Sequence, residues 1–222
     1  MSMNIAIDGP AGAGKSTIAK KVAKEMGFIY VDTGAMYRAM ALYILQHGID
    51  EKNEQAIAAA CDDIDVALRY EAGEQRVLLC GEDVSKEIRR EEVGNMASVT
   101  SVYGCVRKKL VSLQQQLAAK EDVIMDGRDI GTCVLPQAPL KIYLTASVET
   151  RAKRRYKELC KKNVTCDLAE IMKDIEDRDY RDMHREISPL KQAEDAVLVD
   201  SSDMTIDEVV TTIITFAKER MA

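Results

Sequence analysis

Gly9-Pro10-Ala11-Gly12-Ala13-Gly14-Lys15-Ser16 fits the pattern G-x-x-x-x-G-K-[ST], the phosphate-binding P-loop. No other stretch constrains the fold as tightly, because the pattern works in one local setting. It must leave a strand and open a helix, so that backbone N–H groups face one point and the helix N-terminus adds its partial positive charge. The flanks provide this setting. Met3 to Ile7 reads as a short buried strand. Lys15 to Met26 reads as a helix with Ile18, Ala19, Val22, Ala23 and Met26 on one face, and Gly27 stands where a C-terminal cap is expected. Gly9, Pro10, Ala11, Gly12, Ala13, Gly14, Lys15, Ser16 and Thr17 are therefore expected to hold the phosphates of a nucleoside triphosphate. The Lys15 ammonium is expected on the β- and γ-phosphates, and the Ser16 hydroxyl is placed to ligate Mg2+.

Downstream, Phe28 to Val31 reads as a second strand, Asp32-Thr33-Gly34 as a turn, and Ala35 to about Gln46 as a helix ended by Gly48. Val123 to Met125 is a strand running into Asp126-Gly127-Arg128-Asp129, and Lys141 to Thr145 is a strand before a long helix. Ala196 to Val199 is the last strand and Thr205 to about Arg220 the last helix. Strands alternating with helices predict an α/β fold with a central five-stranded parallel sheet flanked by helices. One region breaks the rhythm. Ile64, Val66, Leu68 and Tyr70 alternate with Asp65, Ala67 and Arg69, and a second apolar stretch, Val77 to Cys80, follows Glu71-Ala72-Gly73-Glu74. Alternation around a glycine-bearing connection predicts a small antiparallel insert over about 62–92. A helix from about Tyr103 to Ala119 then places Val106, Leu110, Leu113 and Leu117 on one side.

The chain has 222 residues and a net charge of -6, so no general basic field exists to attract nucleic acid. No apolar run approaches the roughly 18 residues of a membrane span. The first residues carry no basic stretch followed by an apolar segment, so no signal peptide is expected and the cytoplasm is the expected compartment. The six cysteines, Cys61, Cys80, Cys105, Cys133, Cys160 and Cys166, form no C-x-x-C pair and accompany two histidines, which favours free thiols over a zinc site or disulfide framework.

A P-loop alone does not separate a small-molecule kinase from a GTPase switch or a binding module. The N-K-x-D and D-x-x-G patterns of the switch are missing. Instead Arg38, Arg107, Arg128, Arg178, Arg181 and Arg185 fall in segments read as loops at strand ends. Transfer of a phosphoryl group to a phosphate acceptor gathers many anionic oxygens and needs fixed cations more than a strong base, and guanidinium groups suit it. Arg151 to Lys162 holds seven Lys or Arg against Glu158, and in an acidic chain this reads as a mobile helical lid that excludes water.

These segments together resemble bacterial cytidylate kinases. The resemblance rests on Asp8 to Ser16, on Asp32-Thr33-Gly34-Ala35-Met36-Tyr37-Arg38, on Gly81-Glu82-Asp83-Val84-Ser85, on Asp126-Gly127-Arg128-Asp129-Ile130-Gly131-Thr132, and on Arg178-Asp179 through Arg185. It runs from about residue 3 to 220, and the Asp-Gly-Arg-Asp stretch and the insert are its most particular parts. It implies a monomeric kinase of three parts: a core over about 1–61, 93–150 and 186–222, an acceptor-binding insert over about 62–92, and a lid over about 151–185. It also implies roles. Ser98, Arg107 and Asp129 match residues that meet cytosine; Arg38, Arg128 and Arg185 match residues on the acceptor phosphate; Arg178 and Asp182 match residues near the ribose. Thr33 stands where some members carry serine and keeps the hydroxyl.

The expected reaction moves a phosphoryl group from ATP, with Mg2+, to CMP or dCMP. Lys15, Arg128, Arg154 and Arg155 are the expected catalytic cations, with Arg151 a further candidate. Cytosine presents an amine donor with N3 and O2 acceptors, which a carboxylate and a guanidinium can read, and uracil reverses that edge at a cost of roughly 1–3 kcal/mol per unpaired group. Asp126 is expected either to orient Mg2+ through water or to hold Arg128. The family's Gln-Arg pair reads Gln114-Gln115 here, so one cationic contact is absent or comes from elsewhere, with Lys108 and Lys109 nearby. His184 receives no catalytic role, and Cys160 with Cys166 are too few for the four-ligand zinc some adenylate kinases hold at the lid tip. Kinases of UMP, AMP, dTMP or shikimate are the rival readings, with a non-catalytic P-loop module further off.

Overall fold

The computed structural model describes residues 3–71 and 74–221. Two compact units divide the chain, one formed by Met1–Tyr30 with Lys120–Ala222 and one by Val31–Ala119.

The first unit is built on β1 (Ile5–Asp8), α1 (Lys15–Met26), β6 (Val123–Gly127), β7 (Leu140–Thr145), α6 (Val148–Lys161), α7 (Leu168–His184), β8 (Val197–Asp200) and α8 (Ile206–Met221). With β2 (Ile29–Asp32) the strands form a five-stranded sheet in the order β2-β6-β1-β7-β8. β1 is central. It pairs in parallel with β6 (Ile5 opposite Ile124, Asp8 opposite Gly127) and with β7 (Ile5 opposite Leu140). A strand covered on both faces has no polar side to alternate with, so Ile5, Ala6 and Ile7 are all buried. Ile18, Ala19 and Val22 of α1 and Val209, Ile213 and Ala217 of α8 join the core formed around them. Truncating a side chain such as Ile7 to alanine there costs about 2–5 kcal/mol. The polar segments that leave β1, β6, β7 and β8 all start at the carboxyl edge of the sheet, where open α/β sheets place ligands.

Helix boundaries follow recognisable caps. Gly27 closes α1 with a left-handed φ of 73°. Thr205 and Glu208 form a capping box at the start of α8: the Thr205 amide donates to Glu208 Oε2 at 2.7 Å and the Glu208 amide to Thr205 Oγ1 at 3.3 Å. The basic segment is α6, and Asp167 caps α7 by accepting from the amides of Ala169 and Glu170. Ala152, Ile171 and Ile175, with Leu159 and Leu168, join α6 and α7 in a small apolar cluster of their own.

The second unit centres on α2 (Thr33–Gln46), whose Ala35, Met36, Ala39, Met40, Leu42 and Ile44 are buried. Around it lie α3 (Glu54–Asp63), β3 (Val66–Glu71), β4 (Glu74–Leu79), β5 (Glu82–Asp83), α4 (Glu91–Thr100) and α5 (Gly104–Ala118). β3, β4 and β5 make an antiparallel sheet with Val66 opposite Leu79 and Leu68 opposite Val77. Ala72 and Gly73 of the expected connection lie outside the described residues.

Several expectations need correction. Thr33 and Gly34 are not a turn but the first residues of α2; Asp32 Oδ1 accepts from the Ala35 amide at 2.9 Å and caps the helix. Aspartate followed by small residues signals a turn and a helix start alike. Of the arginines assigned to loops at strand ends, Arg38 and Arg107 lie inside the two helices expected over 35–46 and 103–119, and Arg178 and Arg181 lie on α7. Helices α3 and α4 have no counterpart in the sequence reading. Each is 10 residues long and buries only three side chains, too few for a clear period.

Candidate functional site

The phosphate loop is fixed by close backbone approach. Gly9 has φ 151°, and a Cβ there would lie 1.9 Å from the carbonyl oxygen of Leu144 on β7. Gly14, with φ 87°, is the residue before α1. Lys15 is buried, and its ammonium donates to the carbonyls of Gly9 and Pro10 at 2.7 Å each. Burial first, and then repulsion from Arg128, pull its pKa well below the usual lysine value.

Asp126, near the end of β6, is buried, and Ser16 Oγ donates to its Oδ2 at 2.8 Å and the Tyr30 hydroxyl to its Oδ1 at 2.9 Å. A hydroxyl and a carboxylate at the mouth of a phosphate loop are hard oxygen donors of the kind Mg2+ takes alongside phosphate and water, so the residues present fit that ion.

Beyond Asp126 the chain passes Gly127 and Arg128 to Asp129 and enters a π-helical turn, Ile130–Val134. Such turns are rare and recur at functional sites. Arg128 Nε donates to Asp182 Oδ2 at 2.8 Å and Nη1 to the Gly127 carbonyl at 3.3 Å. Asp129 lies 3.6 Å from Arg185 Nη2, and Arg185 Nε donates to the Ser188 carbonyl at 2.6 Å. Burial raises the Asp182 carboxyl, but Arg128 outweighs it, with Arg178 and Arg185 adding to the effect, and the pKa sits below its ordinary value. The spacing of Arg178, Asp182 and Arg185 puts the three on one side of the α7 end. Thus Lys15, Ser16, Asp126, Arg128, Asp129, Arg178, Asp182 and Arg185 of the first unit are brought to one end of its sheet. His184 is exposed and stacked on Tyr180 with ring centroids 4.0 Å apart.

The arginines of α6 separate into different settings. Arg151 is buried and committed on every side: Nη1 donates to the Ala11 carbonyl at 2.9 Å, Nε to Ala146 at 2.9 Å, and Nη2 pairs with Asp179 at 2.7 Å. It braces the phosphate loop against α7 rather than projecting toward a reacting group. Arg154 Nη2 donates to the Ser201 carbonyl at 2.7 Å. Arg155 is half-exposed and pairs with Glu158 at 3.0 Å.

In the second unit, Thr33 is buried at the start of α2. The Arg38 guanidinium lies near Gly34 and near Gly94 of α4; a Cβ at either glycine would come 3.9 Å from one of its nitrogens. Ser98 is one helical turn beyond Gly94. Arg107 is buried, donates to the Ser101 carbonyl at 3.3 Å, and holds its guanidinium carbon 5.7 Å from the Tyr37 ring centre. Arg38 thus lies between α2 and α4, and Arg107 of α5 packs on α2. Gln114 is buried, with Nε2 3.8 Å from Met36 Sδ and no partner on Oε1. Lys109 donates to the Cys61 carbonyl, and Lys108 is exposed.

Four polar residues of the site received no role from the sequence: Asp8, Tyr30, Asp179 and Ser201. Only Asp8 carried a readable signal, being a carboxylate at the carboxyl end of a strand directly before the loop.

Comparison with known proteins identifies the family. The family profile described as cytidylate kinase matches residues 5–219. A cytidylate kinase of Lactobacillus johnsonii is 52% identical over 211 residues, 95% of this chain and 92% of that protein. One of Streptococcus pneumoniae is 50% identical over 221 residues, 99% of both. Among solved structures, an uncharacterized protein from Eubacterium ventriosum superposes with a TM-score of 0.54 at 13% identity, covering 99% of both chains, which bears on the fold alone. A profile match over nearly the whole chain, together with identities of 50–52% to cytidylate kinases, shows that the chain belongs to the cytidylate kinase family.

Proposed function

We propose that this kinase transfers the γ-phosphoryl group of ATP to CMP or dCMP, giving ADP and the corresponding diphosphate. One observation supports it above the others: Asp126 holds Ser16 of the phosphate loop, and three residues on Asp129 lies against Arg185. The donor loop and the segment assigned to the acceptor are thus joined through one short stretch of β6. In this reading Gly9 to Thr17 hold the ATP phosphates, with Lys15 on the β- and γ-phosphates. Ser16, with Asp126 behind it, would hold Mg2+, which would supply charge neutralisation. Arg128 and Arg185 grip the acceptor phosphate, Arg178 and Asp182 the ribose, and Asp129 the exocyclic amine of cytosine. Thr33, Arg38, Ser98 and Arg107 take the acceptor contacts that family resemblance implies. A phosphate oxygen of CMP attacks the γ-phosphorus in line, the bond to the β–γ bridging oxygen breaks, and Arg154 and Arg155 neutralise the transferring group.

The three-stranded insert and the α6–α7 pair are read as the acceptor-binding part and the lid. No described helix is long and apolar enough to cross a membrane, and a monomer in the cytoplasm is the assembly and place proposed. A coupled assay with ATP and CMP, dCMP, UMP, AMP, dTMP and shikimate in turn tests the substrate. Turnover with CMP and dCMP well above the rest is expected. A faster reaction with any other acceptor overturns the assignment.

A further inference from the structure

Asp8 is the last residue of the central strand and is nearly fully buried. Its two carboxylate oxygens take separate partners more than a hundred residues away: the Ile130 amide donates to Oδ1 at 2.8 Å and the Gly131 amide to Oδ2 at 2.7 Å. These amides open the π-helical turn. Within the turn the carbonyls of Asp129 and Ile130 accept from Cys133, Val134 and Leu135, so the turn bonds its carbonyls forward and leaves its leading amides to a group outside it. Asp8 is that group.

The fit is close. A Cβ on Gly131 would lie 3.4 Å from Asp8 Oδ2 and 3.1 Å from Lys141 Cδ, so the turn backbone rests directly on both side chains. The Lys141 ammonium is turned elsewhere, donating to the Pro136 carbonyl at 2.6 Å and to Asp195 at 2.9 Å. The carboxylate is left to the two amides.

We propose that Asp8 is a positioning residue for the acceptor: by clasping the amides of Ile130 and Gly131 it fixes the backbone that carries Arg128 and Asp129. The proposal rests on the reading of Arg128 and Asp129 as acceptor contacts. Asp129 immediately precedes the clasped amides and has φ -147° and ψ 26°, outside the helical range. Its direction, and that of Arg128 before it, depends on where residues 130 and 131 are pinned. Charge-assisted bonds to a buried carboxylate are short and directional, so the pinning is stiff. An asparagine of the same shape keeps one acceptor oxygen and turns an NH2 group toward the second amide.

The test compares Asp8→Asn with Asp8→Glu, which keeps the charge and displaces it by one methylene, and with Arg128→Ala as reference. KM for CMP and KM for ATP are measured separately for each folded variant. A rise in KM for CMP of about tenfold in Asp8→Asn, or in Asp8→Glu if the asparagine variant does not fold, with KM for ATP within about twofold of wild type, supports the proposal. Equal rises for both substrates, a fall in kcat with neither KM changed, or failure of both Asp8 variants to fold overturns it and assigns Asp8 to the loop or the fold. Unchanged kinetics in the Asp8 variants while Arg128→Ala raises KM for CMP overturns this proposal alone. An unchanged KM for CMP in Arg128→Ala overturns the acceptor reading, and the proposal with it.

Discussion

Ser16 and Asp126, 110 positions apart, share a hydrogen bond of 2.8 Å from hydroxyl to carboxylate. The contact is the physical result of parallel pairing: β1 and β6 lie side by side with Ile7 opposite Asp126, so the residues leaving both strands arrive at the same edge. Two segments that would be unrelated in an extended chain thereby form one oxygen-donor corner beside the phosphate loop.

Asp126→Asn and Ser16→Ala should each weaken the Mg2+ dependence of the reaction. Removal of a group that orients or joins a metal ligand set typically costs 10- to 100-fold in metal affinity or activity, and about that loss is expected in a titration of rate against Mg2+ at saturating ATP. An unchanged titration curve in both variants removes the metal from this corner.

Lys15→Ala should lower kcat by about 100- to 1,000-fold, as loss of one preorganised charge on a transferring group does. Near-normal turnover would remove the lysine from the chemistry. Binding of a labelled ATP analogue, followed in parallel, separates that outcome from simple loss of affinity.

Arg151 and Arg155 should behave in opposite ways. Arg151→Ala leaves the buried Asp179 carboxylate without its 2.7 Å partner, and breaking a buried pair from one side costs about 3–5 kcal/mol in urea unfolding. Arg155→Ala removes a half-exposed pair with Glu158 and should shift stability by less than about 0.5 kcal/mol while slowing phosphoryl transfer. Unaltered stability in Arg151→Ala would contradict its role as a brace.

Gln114→Met should leave the protein as stable or more so, by about 1 kcal/mol, because it removes a buried amide oxygen that has no partner and supplies a side chain of similar size beside Met36. Urea unfolding of the two proteins checks this. A loss of more than about 1 kcal/mol would mean that the amide holds a bonded water or a polar neighbour.

Asp8 should contribute a loss of stability as pH rises from about 4 through about 6. Burial, opposed by the Gly131 and Ile130 amides, raised further by Asp129 and lowered by Lys15, sets its pKa at about 6 against 3.8 when unfolded. Between those values the native state binds more protons than the unfolded one, so the unfolding free energy decreases with pH, by about 3 kcal/mol once pH exceeds both. Thermal unfolding against pH should show this slope diminished in Asp8→Asn. An equal slope in the variant would place the titration on another group.

Much of the architecture was legible because its signals are local. The loop pattern, the apolar face of α1 and the cap at Gly27 place the first strand and helix to within two residues. The alternation at Val66, Leu68 and Tyr70 reveals the antiparallel sheet. What was not legible depends on distant partners. Nothing near Asp8 in the sequence shows that its acceptors face amides of residues 130 and 131, and nothing near Arg151 shows that Asp179 and the Ala11 carbonyl absorb its charge. In a run of seven cations all look alike; burial makes one a brace and another a surface group. Helices α3 and α4 were missed because their stability comes from packing on their neighbours rather than from periodicity.

The approach of Gly9 to the Leu144 carbonyl carries a consequence for how this scaffold could be altered. The phosphate loop takes its contour from main chain on the adjoining strand, and main chain is identical whatever residue occupies position 144. Side chains along β7 can therefore be exchanged for others of like volume without reshaping the cradle, whereas position 9 tolerates no carbon beyond its own Cα. An engineer therefore has latitude in the strand that backs the loop and none at the loop's first residue.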